Sequence, residues 1–138
     1  MKFVFFSITE HPWGREMLSQ LIEAGFIPSL IIEENSDGGK TEREKFEFRL
    51  GSNPLAPTMQ SQIEKYKIPF VEVPIHNDEY CMKHIEHANP VLIVFGGTRI
   101  IRGKILEYGE NRGGVLNSHP GLLPECRGSA SPAWSVHE

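Results

Sequence analysis

Cysteine is scarce in this sequence, and what little there is falls in no useful pattern. Cys81 and Cys126 form neither a metal-binding nor a redox spacing, which sets aside disulfide scaffolds and zinc modules and suits a reducing cytoplasm. Long apolar runs are missing too: none approaches the ~20 residues that a membrane-spanning helix needs. The opening Met1-Lys2-Phe3-Val4-Phe5-Phe6 imitates a secretory signal, but Thr9-Glu10-His11-Pro12 follows where a small-residue cleavage site would stand. There is no basic excess. A formal net charge of -4 argues against a dedicated nucleic-acid binder. No Gly-x-Gly-x-x-Gly loop follows the first apolar run, so a nicotinamide-dependent enzyme is disfavoured. Internal repeats and low-complexity tracts are absent as well.

What is there is an ordinary globular composition, 39% apolar and 23% charged over 138 residues, enough for one domain with a real core. Strand-length apolar runs alternate with helical patterns, the signature of parallel β-α-β units. Strands are predicted over Lys2–Ile8, Ser29–Glu33, Phe70–Val73, Val91–Phe95 and Gly114–Asn117. Helices are predicted over Trp13–Ala24, with Gly25 as its C-terminal stop, and over Glu79–Ala88 behind an Asp78 cap. Further helices are expected over Thr41–Leu50, from Pro57 to Tyr66, over Lys104–Tyr108 and from Pro132 onward. Asn35–Lys40 reads as a polar turn. Right-handed crossovers then imply an α/β fold: a doubly wound, Rossmann-like, mainly parallel sheet of five or so strands, order 3-2-1-4-5, with helices on both faces.

Such sheets bind ligands beyond the carboxyl ends of their strands, at the switch between strands one and four. The segments expected there are Ser7–Trp13, Gly96–Arg99 and Asn117–His119. Asn117 and His119 are two residues apart at a strand end, and Pro120 keeps His119 extended, so both side chains can face one reacting group. A side-chain amide can stabilise a developing oxyanion, and a neutral imidazole can take a proton from an attacking amine. That pairing suits acyl transfer between nitrogens. It suits phosphoryl transfer poorly, since no metal-binding carboxylate pair or phosphate-cradling lysine loop accompanies it.

The longer run Asn117-Ser118-His119-Pro120-Gly121-Leu122-Leu123-Pro124, with Arg127-Gly128 behind it, resembles the signature of the 10-formyltetrahydrofolate-dependent formyltransferases. That family includes glycinamide ribonucleotide transformylase, methionyl-tRNA formyltransferase and the sugar N-formyltransferases. Val91 to Ile101 looks like the family's fourth strand and pterin-contacting loop. The resemblance implies that Asn117 holds the formyl oxyanion and His119 handles the amine proton. It implies a folate pocket lined by Gly96, Gly97, Thr98, Arg99, Ile100 and Ile101, with Leu122 and Leu123 at its floor and Arg99 near a carboxylate of the folate tail. Formyl transfer to a primary amine, with 10-formyltetrahydrofolate as donor and no metal, is the activity expected of a cytoplasmic protein that is compatible with a homo-oligomer.

The chain also departs from the family. Those enzymes carry an aspartate a few dozen residues beyond the His-Pro segment, whereas Asp37 and Asp78 both lie upstream of it here. The expectation is a single formyltransferase-type N-terminal domain over 1–138, incomplete at its C-terminus, with a catalytically incomplete folate- or nucleotide-binding module as the competing reading. After strand one the purine-pathway members have a Gly-Ser-Asn turn for the substrate phosphate. Thr9-Glu10-His11-Pro12-Trp13-Gly14 stands there instead, and the Arg127–Trp134 segment looks more like the sugar enzymes. A small-molecule amine on a nucleotide-linked amino sugar is therefore favoured as acceptor. His76, Cys81, His84 and His87 suggest a metal, but Cys81 and Ile85 share a helix face and read as core.

Overall fold

The computed structural model describes residues 1–118. Phe3–Ile8 forms β1, buried along its whole length because it is the central strand of a five-stranded sheet. Around it come β2 (Leu30–Glu34), β3 (Phe70–Val73), β4 (Leu92–Phe95) and β5 (Val115–Asn117), all parallel and in the order β3-β2-β1-β4-β5. Fold class and strand order agree with the sequence expectation. Val91 stays outside β4 and is exposed.

Side chains alternate across a strand, and the core divides accordingly. Val4, Phe6, Ile32, Ile93 and Phe95 face one cluster with Cys81 and Ile85 of α4 (Glu79–Ala88) and Ile105 of α5 (Lys104–Glu110). Phe3, Phe5, Ile31 and Val94 face the other, with Leu18 of α1 (Pro12–Glu23) and Met59 and Ile63 of α3 (Met59–Tyr66). These four helices therefore each present an apolar stripe to one face of the sheet.

Helix ends follow local chemistry. Gly25, at φ 91, closes α1 in a Schellman arrangement: its N–H donates to Ile22 O (2.9 Å) and that of Phe26 to Leu21 O (2.8 Å). Two expectations need correction. The Asn35–Lys40 turn is in fact the start of α2 (Asp37–Leu50), because the Ser36 hydroxyl accepts from Gly39 N and overrides the poor helix propensity of Gly38-Gly39. Pro57 precedes α3 rather than opening it; Thr58 is the cap, accepting from Ser61 N at 3.0 Å. Among the described residues no helix is long and apolar enough to cross a membrane.

Candidate active site

The carboxyl ends of β1 and β4 are joined main chain to main chain. Gly96 N donates to Phe6 O at 2.8 Å, and Ile8 N donates to Gly97 O at 2.9 Å, which carries the ladder past the end of β4 to the last residue of β1. The first turn of α1 is seated against this junction. A Cβ on Gly97 (φ +78) would lie 2.6 Å from His11 Nδ1, one on Gly96 would enter the Phe5 ring, and one on Gly14 would meet Ser7 Oγ and the Gly96 carbonyl. Only glycine fits that contact.

His11 caps α1 from within. Its Nδ1 accepts from Trp13 N at 3.1 Å, and its ring lies 4.5 Å from that of Phe46 in α2. Burial, helped by the Arg43 charge, lowers its pKa to about 4, so it is neutral at pH 7 with the proton on Nε2. Glu10, at φ 53, turns its carboxylate onto the start of α3, accepting from Met59 N (2.8 Å) and Gln60 N (3.0 Å). Buried Glu33 is pushed up to about 7, first by burial and then by the charges of Glu10 and Glu72.

The loop after β4 is held from two sides. Arg99 Nε donates to Glu34 Oε2 at 2.8 Å; Glu34 is only 2% exposed. The same carboxylate accepts from Ser36 Oγ (3.0 Å) and from His76 N (2.9 Å). Burial alone would raise the Glu34 pKa, but the Arg99 hydrogen bond, the His76 N–H and the Ser36 hydroxyl outweigh it and bring it below the usual value. From the β3–α4 connection, Asn77 Nδ2 donates to Ile100 O and Asn77 Oδ1 accepts from Arg102 N, both at 2.8 Å. His76 itself is buried, donating Nε2–H to Ile32 O at 2.9 Å and stacking 4.9 Å from Phe6.

Of the residues singled out from sequence, Gly96 to Ile101 form one loop at the switch point. Within it Ile100 is 69% exposed whereas Ile101 is buried in the α4/α5 core. Asn117 pairs with Phe95 across β4 and β5, so it ends its strand beside that loop, and it is exposed. His119, Leu122, Leu123, Arg127 and the helix expected from Pro132 lie outside the described residues. Arg99 already meets a carboxylate, that of Glu34. Sequence reasoning passed over Glu34 and Asn77, and weighed His76 only as a metal ligand. The two consecutive acids that end the apolar run Leu30-Ile31-Ile32 were the available signal, since charges at a buried strand end need partners. Among the described residues no group of three or more His, Cys, Asp or Glu could hold a metal ion, and the buried Cys81 thiol is pushed up to about 12 by burial and by Asp78 and Glu34.

The fold is a doubly wound α/β sheet, a class in which ligands bind at the switch point of the strand order, here between β1 and β4. The chain is 32% identical over 89 residues to the methionyl-tRNA formyltransferase of Syntrophus aciditrophicus, covering 62% of this chain and 27% of that protein. Its fold matches phosphoribosylglycinamide formyltransferases of Coxiella burnetii (TM-score 0.65, 19% identity) and Anaplasma phagocytophilum (TM-score 0.63, 16% identity). Those matches take in 100% and 99% of this chain but 61% and 58% of the two structures, so the chain spans well under two thirds of each. No protein-family profile matches. The sequence likeness is thus to a formyltransferase, and the solved structures, at 16% and 19% identity, share this chain's fold.

Proposed function

We propose that the chain serves formyl transfer from 10-formyltetrahydrofolate to a primary amine of a small molecule. In this reaction the amine nitrogen attacks the formyl carbon, and the Asn117 amide donates a hydrogen bond to the oxyanion that forms. His119 takes the amine proton and returns it to N10 of the folate as the tetrahedral intermediate collapses, releasing the formamide and tetrahydrofolate. The observation that carries the reading is the β4–β5 pairing: Asn117 sits opposite Phe95, the residue immediately before the Gly96–Ile101 loop. An amide donor thus ends its strand beside the loop that the family resemblance gives to the folate.

For the acceptor we propose a nucleotide-linked amino sugar. What supports this is the β1–α1 turn. The first-turn N–H of Trp13 is already taken by His11, and Gly14 is packed against Ser7 and Gly96, so the start of α1 is ill suited to a substrate phosphate. The test is a formyl-transfer assay of the full-length protein with amino-sugar nucleotides and glycinamide ribonucleotide side by side. Turnover with the former and not the latter is expected. Asn117→Ala should lower kcat by ~100-fold or more, and His119→Ala likewise. Full activity in either variant would remove that residue from the mechanism; donor binding without turnover of any amine would reduce the protein to a folate-binding module.

A further inference from the structure

We infer that Glu34 and Asn77 are positioning residues for the Gly96–Arg102 loop, fixing the shape it presents to the formyl donor; the inference rests on the reading just proposed. Gly97 is held through its carbonyl by Ile8 N, but the residues that follow it lie outside the sheet and are open to other shapes. Two brackets hold those later residues. On one side, Arg99 reaches from the end of β4 to Glu34 at the end of β2, two strands away in the sheet, so its side chain ties the two ends together across β1. On the other side, Asn77 bonds the backbone on either side of Ile101, at Ile100 O and Arg102 N, in the manner of a neighbouring strand.

The two brackets share a base. His76 N donates to Glu34 Oε1 at 2.9 Å, so the residue next to Asn77 is held by the same carboxylate that holds Arg99. A third bond from Ser36 adds the cap of α2. One buried carboxylate therefore ties together the loops that leave β2, β3 and β4 at the end of the sheet where the donor would bind. Gly38 leaves just enough room: a Cβ there would come 2.6 Å from an Arg99 guanidinium nitrogen. Exposed Ile100 and buried Ile101 then point apart because the backbone between Ile100 O and Arg102 N is pinned.

A residue that only supports the fold and a residue that shapes the donor loop separate in their kinetics. Loss of folding lowers the active fraction and hence the apparent kcat, leaving both KM values where they were. Loss of loop shape raises KM for 10-formyltetrahydrofolate and leaves KM for the amine unchanged. In the full-length protein Asn77→Ala, at an exposed site that removes two hydrogen bonds, should raise the donor KM by about tenfold, and the isosteric Glu34→Gln by at least as much. Amine KM should stay within about twofold in both. Arg102 amide exchange should be slowed in the wild type by its bond to Asn77 Oδ1 and should accelerate in Asn77→Ala whatever the substrate is. An active wild type whose donor KM is unmoved in both variants overturns the inference alone. A wild type that neither transfers formyl groups nor binds the donor overturns the reading on which it rests, and the Arg102 exchange then still reports whether Asn77 holds the loop.

Discussion

Glu33 and His11 oppose each other in the pH dependence of stability, and replacing one of them exposes the other. Glu33 is 3% exposed, with its folded pKa raised from 4.5 to about 7 by burial and by Glu10 and Glu72. A raised carboxyl pKa means that the folded chain holds a proton that the unfolded chain has lost. Its stabilisation is full below pH 4.5 and disappears as pH rises through about 7. The shift of roughly 2.5 units corresponds to about 3 kcal/mol across that window, at ~1.4 kcal/mol per unit. His11 runs the other way. Its folded pKa is lowered from 6.5 to about 4, so its contribution is present above 6.5 and fades as pH falls through about 4. Between pH 4.5 and 6.5 the two slopes cancel. Glu33→Gln removes one of them. Its stability relative to the wild type, from urea denaturation at fixed pH, should rise by about 3 kcal/mol between pH 4.5 and 8. A constant difference between variant and wild type over that range would refute the assignment of a protonated Glu33 at the end of β2.

Two further perturbations probe the same end of the sheet. Gly14→Ala drives a methyl into Ser7 Oγ and the Gly96 carbonyl and should cost about 2–3 kcal/mol, whereas Gly25→Ala, which meets nothing within 4 Å, should cost only the ~1 kcal/mol of its positive φ; denaturant midpoints will rank them. Arg99→Met leaves the buried Glu34 without its closest cation. The lowered pKa of Glu34 means that the lost stabilisation is present above pH 4.5 and shrinks as pH falls below it, so the variant's melting temperature should approach that of the wild type only in acid.

Much of this architecture is legible without coordinates. Phe70–Val73 and Glu79–Ala88 appear at the expected bounds, with Pro69 before the first and Asp78 before the second, although the Asp78 side chain makes no capping hydrogen bond. Gly25 is readable as local punctuation too. Crossover handedness narrows the strand order to a few arrangements, of which the expected 3-2-1-4-5 is the one observed. Harder to see is anything that depends on a partner far along the chain. Gly38-Gly39 looks like a turn until Ile8 and Glu34 are known to press within 3.3 Å of where a Gly39 side chain would be. Glu34 and Arg99 are 65 residues apart, and no spacing rule links them. Glu10 likewise reads as a loop acid, and only the fold shows it bonded to the first turn of α3. Local grammar gives the elements; the polar contacts that fix their loops are long-range.

The glycine-lined seam between α1 and β4 has a thermodynamic corollary. Gly14, Gly96 and Gly97 bring no rotamers to freeze when the helix docks on the sheet, so that contact costs little side-chain entropy. The chain bears the cost in its backbone instead, since glycine gives up more conformational freedom on folding than any other residue.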